Sequence, residues 1–178
     1  NGFLIVFASN KARAVAGSPL HTNFELRKAG ETLSLYGPGG VLWSRMPADY
    51  PTTPAFPAQY RDTSYGVNGT GDLRFFRPST PGAVNAATGY TSVVEDTSFS
   101  VKRGLYSAPQ SVAITCLTPG AQIRYTTNGT KPTETTGTVY TAPVNVTSTT
   151  VIRAAAYLAG AAPSNVDTHT YIFPASVA

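Results

Sequence analysis

The sequence has little of the chemistry on which most enzymes depend. Its 178 residues include one cysteine, two histidines and nine acidic residues, and only 12% of all residues are charged. A chain with so little charge and so many β-branched and aromatic residues does not match a disordered segment, which stays unfolded through high net charge and few apolar side chains. No apolar run reaches the roughly 20 residues of a membrane-spanning helix, so we expect no insertion into a membrane.

The single cysteine and the two histidines offer few routes to a reactive centre. Cys116 has no partner for an internal disulfide, and the alternation Val112, Ile114, Cys116 predicts a strand in which it is a small buried side chain. His21 and His169 lack His, Cys or carboxylate neighbours at the spacing of a zinc site. The acidic residues are scattered over turns and linkers and suggest no glycosidase-type pair. We therefore predict no catalytic residue, no cofactor and no metal site.

One loop carries a weaker signal for a cation. Asp62, Asn68 and Asp72 occur in a single glycine-rich stretch, and Ca²⁺ prefers oxygen ligands from loops. Their spacing matches no standard calcium loop, and Asx-turn chemistry accounts for the same residues. Calcium binding is an alternative here to a purely structural turn.

Basic residues outnumber acidic ones, with a formal net charge of +4, but they do not cluster. The densest groups are three pairs: Lys11 with Arg13, Arg74 with Arg77, and Lys102 with Arg103. None is flanked by the repeated glycine and aromatic residues of single-strand binders, and a nucleic-acid partner needs a contiguous basic face. We predict that the chain binds no nucleic acid.

Short strand-like segments recur along the chain, while 14 prolines and 16 glycines interrupt windows of helical length. Residues 33–36 and 41–43 flank Gly37-Pro38-Gly39-Gly40 and predict a hairpin, because glycine supplies the positive φ of a tight turn. Further strands are predicted at 112–117, 122–126, 139–146, 149–157 and 168–173. The pattern predicts an all-β fold of two tandem immunoglobulin-like β-sandwiches.

A change of composition predicts where the two domains meet. Between about residues 85 and 98, small and polar residues largely replace apolar ones, as is typical of domain boundaries. We assign one domain to residues 1–88, a linker to 89–97 and a second domain to 98–178.

Four segments of the first half carry a family likeness: residues 3–9, 21–33, 62–66 and 79–85. Over residues 1–85 they resemble the later part of a lamin-tail-type domain, an immunoglobulin-like sandwich found in nuclear lamins and in secreted bacterial proteins. The first strands of that family are missing from this sequence. The resemblance therefore implies a sandwich with an unfilled sheet edge.

The second half carries a more specific likeness, in Ser107-Ala108-Pro109 and residues 118–133, 151–157 and 168–173. Over about residues 99–173 it resembles the small β-sandwich module at the C-terminus of chitobiases and β-hexosaminidases, which also occurs in bacterial surface proteins. Asn128 stands where that family usually has Asp, and both residues tolerate the left-handed turn. The resemblance implies a secreted bacterial multidomain protein and a module remote from catalysis.

These observations predict a non-catalytic extracellular adhesion or spacer module of a bacterial surface or secreted protein. One alternative is a structural subunit of a surface filament, in which the unfilled edge accepts a strand from a neighbour. Another is a carbohydrate-binding module. The expected partners are proteins or copies of the chain at sheet edges, and a polysaccharide in the last case.

The candidate site residues are two aromatic side chains and three asparagines. Trp43 and Tyr65 are candidates for stacking on a sugar, because an aromatic face offers apolar area beside polar groups. Asn68, Asn128 and Asn145 each begin an Asn-x-Thr acceptor pattern for N-linked glycans. The pattern is short, and the first two asparagines also precede glycine in turn signals.

Overall fold

The computed structural model describes residues 2–53 and 55–174, and these contain strands and turns, including a 3-10 turn at Pro38–Gly40, but no α-helix. Asn1, Pro54 and residues 175–178 belong to the predicted domains but lie outside the described residues. The all-β prediction is confirmed, and the fold is consistent with a β-sandwich. The chain divides into two compact units, Asn1–Gly89 and Tyr90–Ala178.

The first unit is built from three separate pairs of strands. Its strands are β1 (Val6–Phe7), β2 (Leu20–His21), β3 (Leu33–Tyr36), β4 (Leu42–Met46), β5 (Ser64–Val67) and β6 (Leu73–Phe76). β1 and β2 pair in parallel, whereas β3 with β4 and β5 with β6 are antiparallel hairpins. Each of these sheets has two strands in the part of the chain that is described.

The predicted hairpin at residues 33–43 is confirmed, and its second strand continues to Met46. The connection is the 3-10 turn Pro38–Gly40, in which Gly39 and Gly40 have φ of 76° and 78°. The register shifts between Leu35 and Tyr36, so a bulge lies beside the turn. The turn chemistry therefore determined this element locally.

The first unit leaves much of its apolar surface exposed. Among its described residues the large buried apolar side chains are Phe56, Phe75 and Phe76, each at most 5% exposed. By contrast, five consecutive apolar residues, Phe3 to Phe7, are 48% to 76% exposed. A contiguous apolar stretch of this kind marks an interaction surface when it occurs on a soluble domain.

The described residues of the second unit form one larger sheet and three small strand pairs. Its strands are β7 (Ser92–Val93), β8 (Thr97–Phe99), β9 (Gly104–Leu105), β10 (Gln110–Val112), β11 (Ile114–Cys116), β12 (Gln122–Thr126), β13 (Thr138–Val139), β14 (Val144–Val146), β15 (Thr150–Tyr157), β16 (Ala161–Ala162) and β17 (Asp167–Ile172). The larger sheet has the order β13-β12-β15-β17-β9, antiparallel except for the parallel pair β17 and β9. The small pairs are β8 with β11, β10 with β14, and β7 with β16.

Two predicted strands are wrong as single elements, because each is divided in two. The segment 112–117 breaks at Ala113, whose N–H donates to Ser100 Oγ at 2.8 Å, so that β10 pairs with β14 while β11 pairs with β8. Strands that change sheets in this way form the corners of sandwiches. The segment 139–146 breaks between β13 and β14, where Pro143 has no N–H for a ladder. Strands β12, β15 and β17 lie within one residue of the predicted ends.

The core of the second unit lies between the larger sheet and the small pairs. Its main cluster comprises Phe99, Val112, Ile114, Val146, Ile152, Ala154, Tyr171 and Phe173. Tyr171 is fully buried, and its hydroxyl donates to the carbonyl of Val101 at 2.8 Å. Strands from both layers thus bury one face each, as the alternating pattern of the second half predicts.

The segment 89–97, predicted as a linker, contributes to the second unit in the structure. β7 pairs in parallel with β16, and the N–H of Val94 donates to the carbonyl of Ala162 at 2.9 Å. Val94 is 1% exposed and packs with Ala156 and Ala161 in a second apolar cluster. Burial of Val93 and Val94 therefore stabilises the packing of this segment against the second unit.

Candidate functional site

The β3–β4 hairpin presents a polar and aromatic face that is held together by one arginine. Ser34 of β3 is the register partner of Arg45 in β4. Arg45 Nε donates to Ser34 Oγ at 3.1 Å, and Nη2 lies 3.4 Å from the hydroxyl of Tyr36. The guanidinium carbon also lies 5.0 Å from the centroid of the Tyr50 ring, within the range of a cation–π interaction. These contacts fix the guanidinium in one orientation.

Trp43 belongs to the same strand, two residues before Arg45, and is 65% exposed. It has no register partner in β3, so the bulge of the hairpin lies at this residue. Its indole lies against the backbone of Gly37, so closely that a Cβ at Gly37 would overlap the ring atoms Cε2, Nε1 and Cζ2. The glycine is therefore required by close approach, and it lets the indole lie on the hairpin while most of the ring stays accessible.

A shallow groove of about 510 Å³ opens on this face. Thr32, Ser34, Arg45 and Tyr50 line it, and we call it the Arg45 groove. These residues contribute three hydroxyl groups and one guanidinium, a lining suited to a polar ligand that carries negative charge.

The second stacking candidate, Tyr65, lies on a different hairpin. It is half-buried in β5, and its ring centroid is 4.8 Å from that of Phe75 in β6. Burial raises the pKa of the Tyr65 hydroxyl; the charge of Arg74 opposes this shift, and that of Asp49 adds to it. Tyr65 therefore packs between the strands of its own hairpin, whereas Trp43 offers an accessible ring.

The three candidate acceptor asparagines lie in two kinds of place. Asn68 and Asn128 form Asx turns: Asn68 Oδ1 accepts from the N–H groups of Thr70 and Asp72 at 3.0 and 2.8 Å, and Asn128 Oδ1 accepts from that of Thr130 at 3.1 Å. Asn145 is exposed in the middle of β14. The turn role of the first two is confirmed, and modification of all three stays a prediction.

The shared loop expected for Asp62, Asn68 and Asp72 is wrong. Strand β5 separates Asp62 from the other two, which close the turn between β5 and β6. Asp72 is engaged there by Thr70 Oγ1 at 3.0 Å and by Arg74 Nη2 at 3.4 Å. Over residues 2–53 and 55–174, no group of three or more His, Cys, Asp or Glu residues is placed to hold a metal ion.

The sulfur and imidazole groups singled out in the sequence each make contacts within their own unit. Cys116 is half-buried, and its Sγ donates to the carbonyl of Glu95 at 3.1 Å. The Nδ1 atom of His21 lies 2.7 Å from Ser9 Oγ in the first unit.

His169 belongs to the second unit and stacks on a core aromatic ring. Its centroid is 4.1 Å from that of Phe99, and the two planes are 8° apart. Burial lowers the pKa of the imidazole, and the charges of Arg103 and Lys102 lower it further, while Asp167 opposes them. The neutral imidazole is the form that this stack favours.

Sequence reasoning missed Arg45 and Tyr50 as members of the site. A usable signal existed for Arg45, because it follows Trp43 by two residues and faces Ser34 once the hairpin register is assumed. Tyr50 gave no such signal. It reaches Arg45 only through the irregular segment after β4, which no strand rule describes.

Comparisons with known proteins bear on the second unit. None of the described residues lies in a helix that is long and apolar enough to cross a membrane. No curated protein and no solved structure was found to match the chain. Residues 101–168 match the family model of the chitobiase/β-hexosaminidase C-terminal domain, a non-catalytic β-sandwich module of secreted bacterial glycosidases. The resemblance of the second half is thus confirmed at family level, and this part of the chain is similar to an accessory module.

Proposed function

We propose that the chain is a non-catalytic module of a larger bacterial surface or secreted protein, and that it acts outside the cell in adhesion or spacing. The family match of residues 101–168 carries this proposal, because the matched domain is an accessory, non-catalytic module. The matched segment includes all of strands β9 to β16, and with them most of the larger sheet.

The side chains of the second unit support a mechanical role. Asp167 accepts from Thr97 Oγ1 at 2.6 Å, and Asp96 accepts from the N–H of Asn165 at 2.9 Å. Both carboxylates therefore join segments that are far apart in sequence. Fully buried Ile152 and Tyr171 fill the space between the layers. A close-packed sandwich of this kind transmits force and keeps its neighbours at a set distance.

We propose a lamin-tail-like sandwich over residues 1–88 and an immunoglobulin-like sandwich over 98–178, with the segment 89–97 packing onto the second sandwich through β7. The antiparallel hairpins β3–β4 and β5–β6 support the first assignment, as do buried Phe75 and Phe76. In this proposal the first unit offers the contact surface and the second acts as the spacer. Partners are polysaccharides or proteins, and nucleic acid is not among them.

Two assays on the purified chain test this proposal. In the first, the chain is incubated with chromogenic glycosides, esters and peptides, and we expect no turnover. Turnover that a single substitution abolishes would refute a non-catalytic role. In the second, beads coated with the folded chain are compared with beads coated with heat-unfolded chain for attachment to bacterial cells. Attachment by the folded chain supports adhesion, whereas equal attachment by both limits the role to spacing.

A specific observation also favours assembly of the chain into filaments by strand addition. β1 pairs with β2 on one side, and the apolar side chains of Phe3 to Phe7 around it are 48% to 76% exposed. A strand from a neighbouring copy would pair with the second edge of β1 and cover these side chains.

Light scattering over a concentration series tests the filament proposal. We expect oligomers that grow with concentration and that Leu4→Lys abolishes, because a charge on this surface opposes burial. Leu117→Lys is the matched control, since Leu117 is 86% exposed in the second unit. Monomers at every concentration would contradict assembly.

A further inference from the structure

We propose that the Arg45 groove and the exposed ring of Trp43, two residues before Arg45 in β4, together bind an acidic polysaccharide. Arg45 pairs with the carboxylate of a uronic-acid unit, and Trp43 stacks on a neighbouring sugar ring. This inference rests on the proposed contact role of the first unit and names the class of ligand that it would take.

The state of the Arg45 guanidinium supports an anionic ligand. Nε and Nη2 contact Ser34 and Tyr36, whereas Nη1 makes no hydrogen bond to any described residue. The ion pairs found among the described residues are Arg61 with Asp62 and Arg74 with Asp72, so the charge of Arg45 has no carboxylate partner there. The side chain is half-buried, and Tyr50 lies under its plane. A guanidinium held in place in this way is prepared to bind a carboxylate through two parallel hydrogen bonds.

The surroundings of Arg45 match a sugar better than other anions. Thr32, Ser34 and Tyr50 bring hydroxyl groups to the groove, and sugar hydroxyls both donate to and accept from such groups. Trp43 adds an accessible apolar face, which suits the C–H side of a pyranose ring. A carboxylate beside a stacked ring is the repeating arrangement of a polyuronate.

Charge outside the groove favours the same class of ligand. Residues 1–89 contain eight Lys and Arg residues against five Asp and Glu residues, which attracts an anionic polymer over a distance. The groove itself is lined by a single cation. A nucleic-acid backbone needs several contiguous phosphate contacts, and an acidic peptide has no ring that repeats beside each charge.

Titration calorimetry on the full chain tests the inference with two polymers of the same backbone. Polygalacturonate carries the free carboxylates, and its methyl-esterified form has the same rings without the charge. We expect binding to polygalacturonate and little to the ester. Arg45→Gln should weaken binding about tenfold or more, because a hydrogen bond to a charged group is lost. Trp43→Ala should weaken it about fivefold through loss of stacking.

Matched variants separate a built site from general charge attraction. Arg61→Gln removes the same charge from an arginine whose side chain is 86% exposed, and it should leave affinity unchanged. Arg45→Lys keeps the charge but loses the planar guanidinium that can donate two parallel hydrogen bonds, and this variant should bind several-fold more weakly than the wild type. Circular dichroism checks that each variant is folded.

Several results would overturn the inference. They are no binding of polygalacturonate by the wild type, equal binding of the ester or of polyglutamate, and equal losses in Arg45→Gln and Arg61→Gln. Failure here leaves the adhesion or spacer role standing, because that role is tested by turnover and bead attachment. Conversely, turnover of a substrate or a lack of bead attachment would not change a measured affinity for polygalacturonate.

Discussion

Replacing Tyr171 by phenylalanine tests whether the second unit depends on one buried hydroxyl. The side chain of Tyr171 is fully buried, with a relative solvent exposure of 0%. Its hydroxyl donates to the carbonyl of Val101 at 2.8 Å. Phenylalanine keeps the ring and its packing against Tyr106, whose centroid is 5.8 Å away. The substitution therefore removes one hydrogen bond and leaves a carbonyl without this donor, at a cost of about 1–2 kcal/mol.

Calorimetry of the full chain measures this loss. For a domain of about 60–100 residues, 1 kcal/mol lowers Tm by roughly 4–8 °C, so the transition of the second unit should fall by about 5–15 °C. Trp43 is the single tryptophan and lies in the first unit, so its fluorescence should report an unchanged first-unit transition. Tyr140→Phe is the control, since no hydrogen bond is shown for the Tyr140 hydroxyl among the described residues, and its Tm should stay close to that of the wild type.

The pH dependence of stability gives a second readout. Burial, and to a lesser extent Tyr106, raises the pKa of Tyr171 to about 12, from an ordinary value of 10.0 that the unfolded chain keeps. The folded protein therefore holds the hydroxyl proton of Tyr171 more tightly than the unfolded chain does. The contribution of the protonated hydroxyl to the free energy of unfolding is complete below pH 10 and is lost as the pH rises to about 12. The difference in Tm between wild type and Tyr171→Phe should narrow over that window. An unchanged Tm at neutral pH, or a constant difference across the window, would refute this reasoning.

Three further predictions concern other positions. Gly137→Ala should lower Tm more than Gly129→Ala. Both glycines have positive φ, of 92° and 77°, but a Cβ at Gly137 would lie 2.9 Å from the backbone oxygen of Tyr125, whereas a Cβ at Gly129 would meet open space. Equal losses of Tm in the two variants would contradict this reasoning. Gly37→Ala should shift the fluorescence maximum of Trp43 by displacing the indole, while an unchanged spectrum would mean that the ring does not lie on the glycine. Burial lowers the pKa of His169 below the ordinary value of 6.5, so the neutral imidazole makes its full contribution to the free energy of unfolding above pH 6.5. This contribution should be lost as the pH falls through the pKa of the folded state. In a series of Tm measurements, His169→Phe should remove this part of the decline.

Much of the local structure was determined by the sequence itself. The glycines after Tyr36 required a tight turn, so the β3–β4 hairpin could be predicted from turn chemistry alone. Strand β12 could also be predicted locally, from the alternation in residues 122–126 and the Asn128-Gly129 turn that follows. Its bounds in the structure are those predicted. The sparse Cys, His and carboxylate residues of the sequence likewise argue against a reactive centre.

Contacts between distant residues were decided only by the tertiary structure. β7 pairs with β16, and Asp96 bonds to Asn165 across 69 residues, so the segment that looked like a linker belongs to the second unit. The break at Ala113 likewise depends on Ser100, which no short window around it contains.

The Arg45 groove shows the same division within one site. The sequence by itself determined the hairpin and the strand position of Trp43, because turn residues and the two-residue repeat act over a few neighbours. Only the folded chain brings Tyr50 under Arg45 and places Asp62 away from Asn68, because irregular segments take their paths from packing rather than from local pattern.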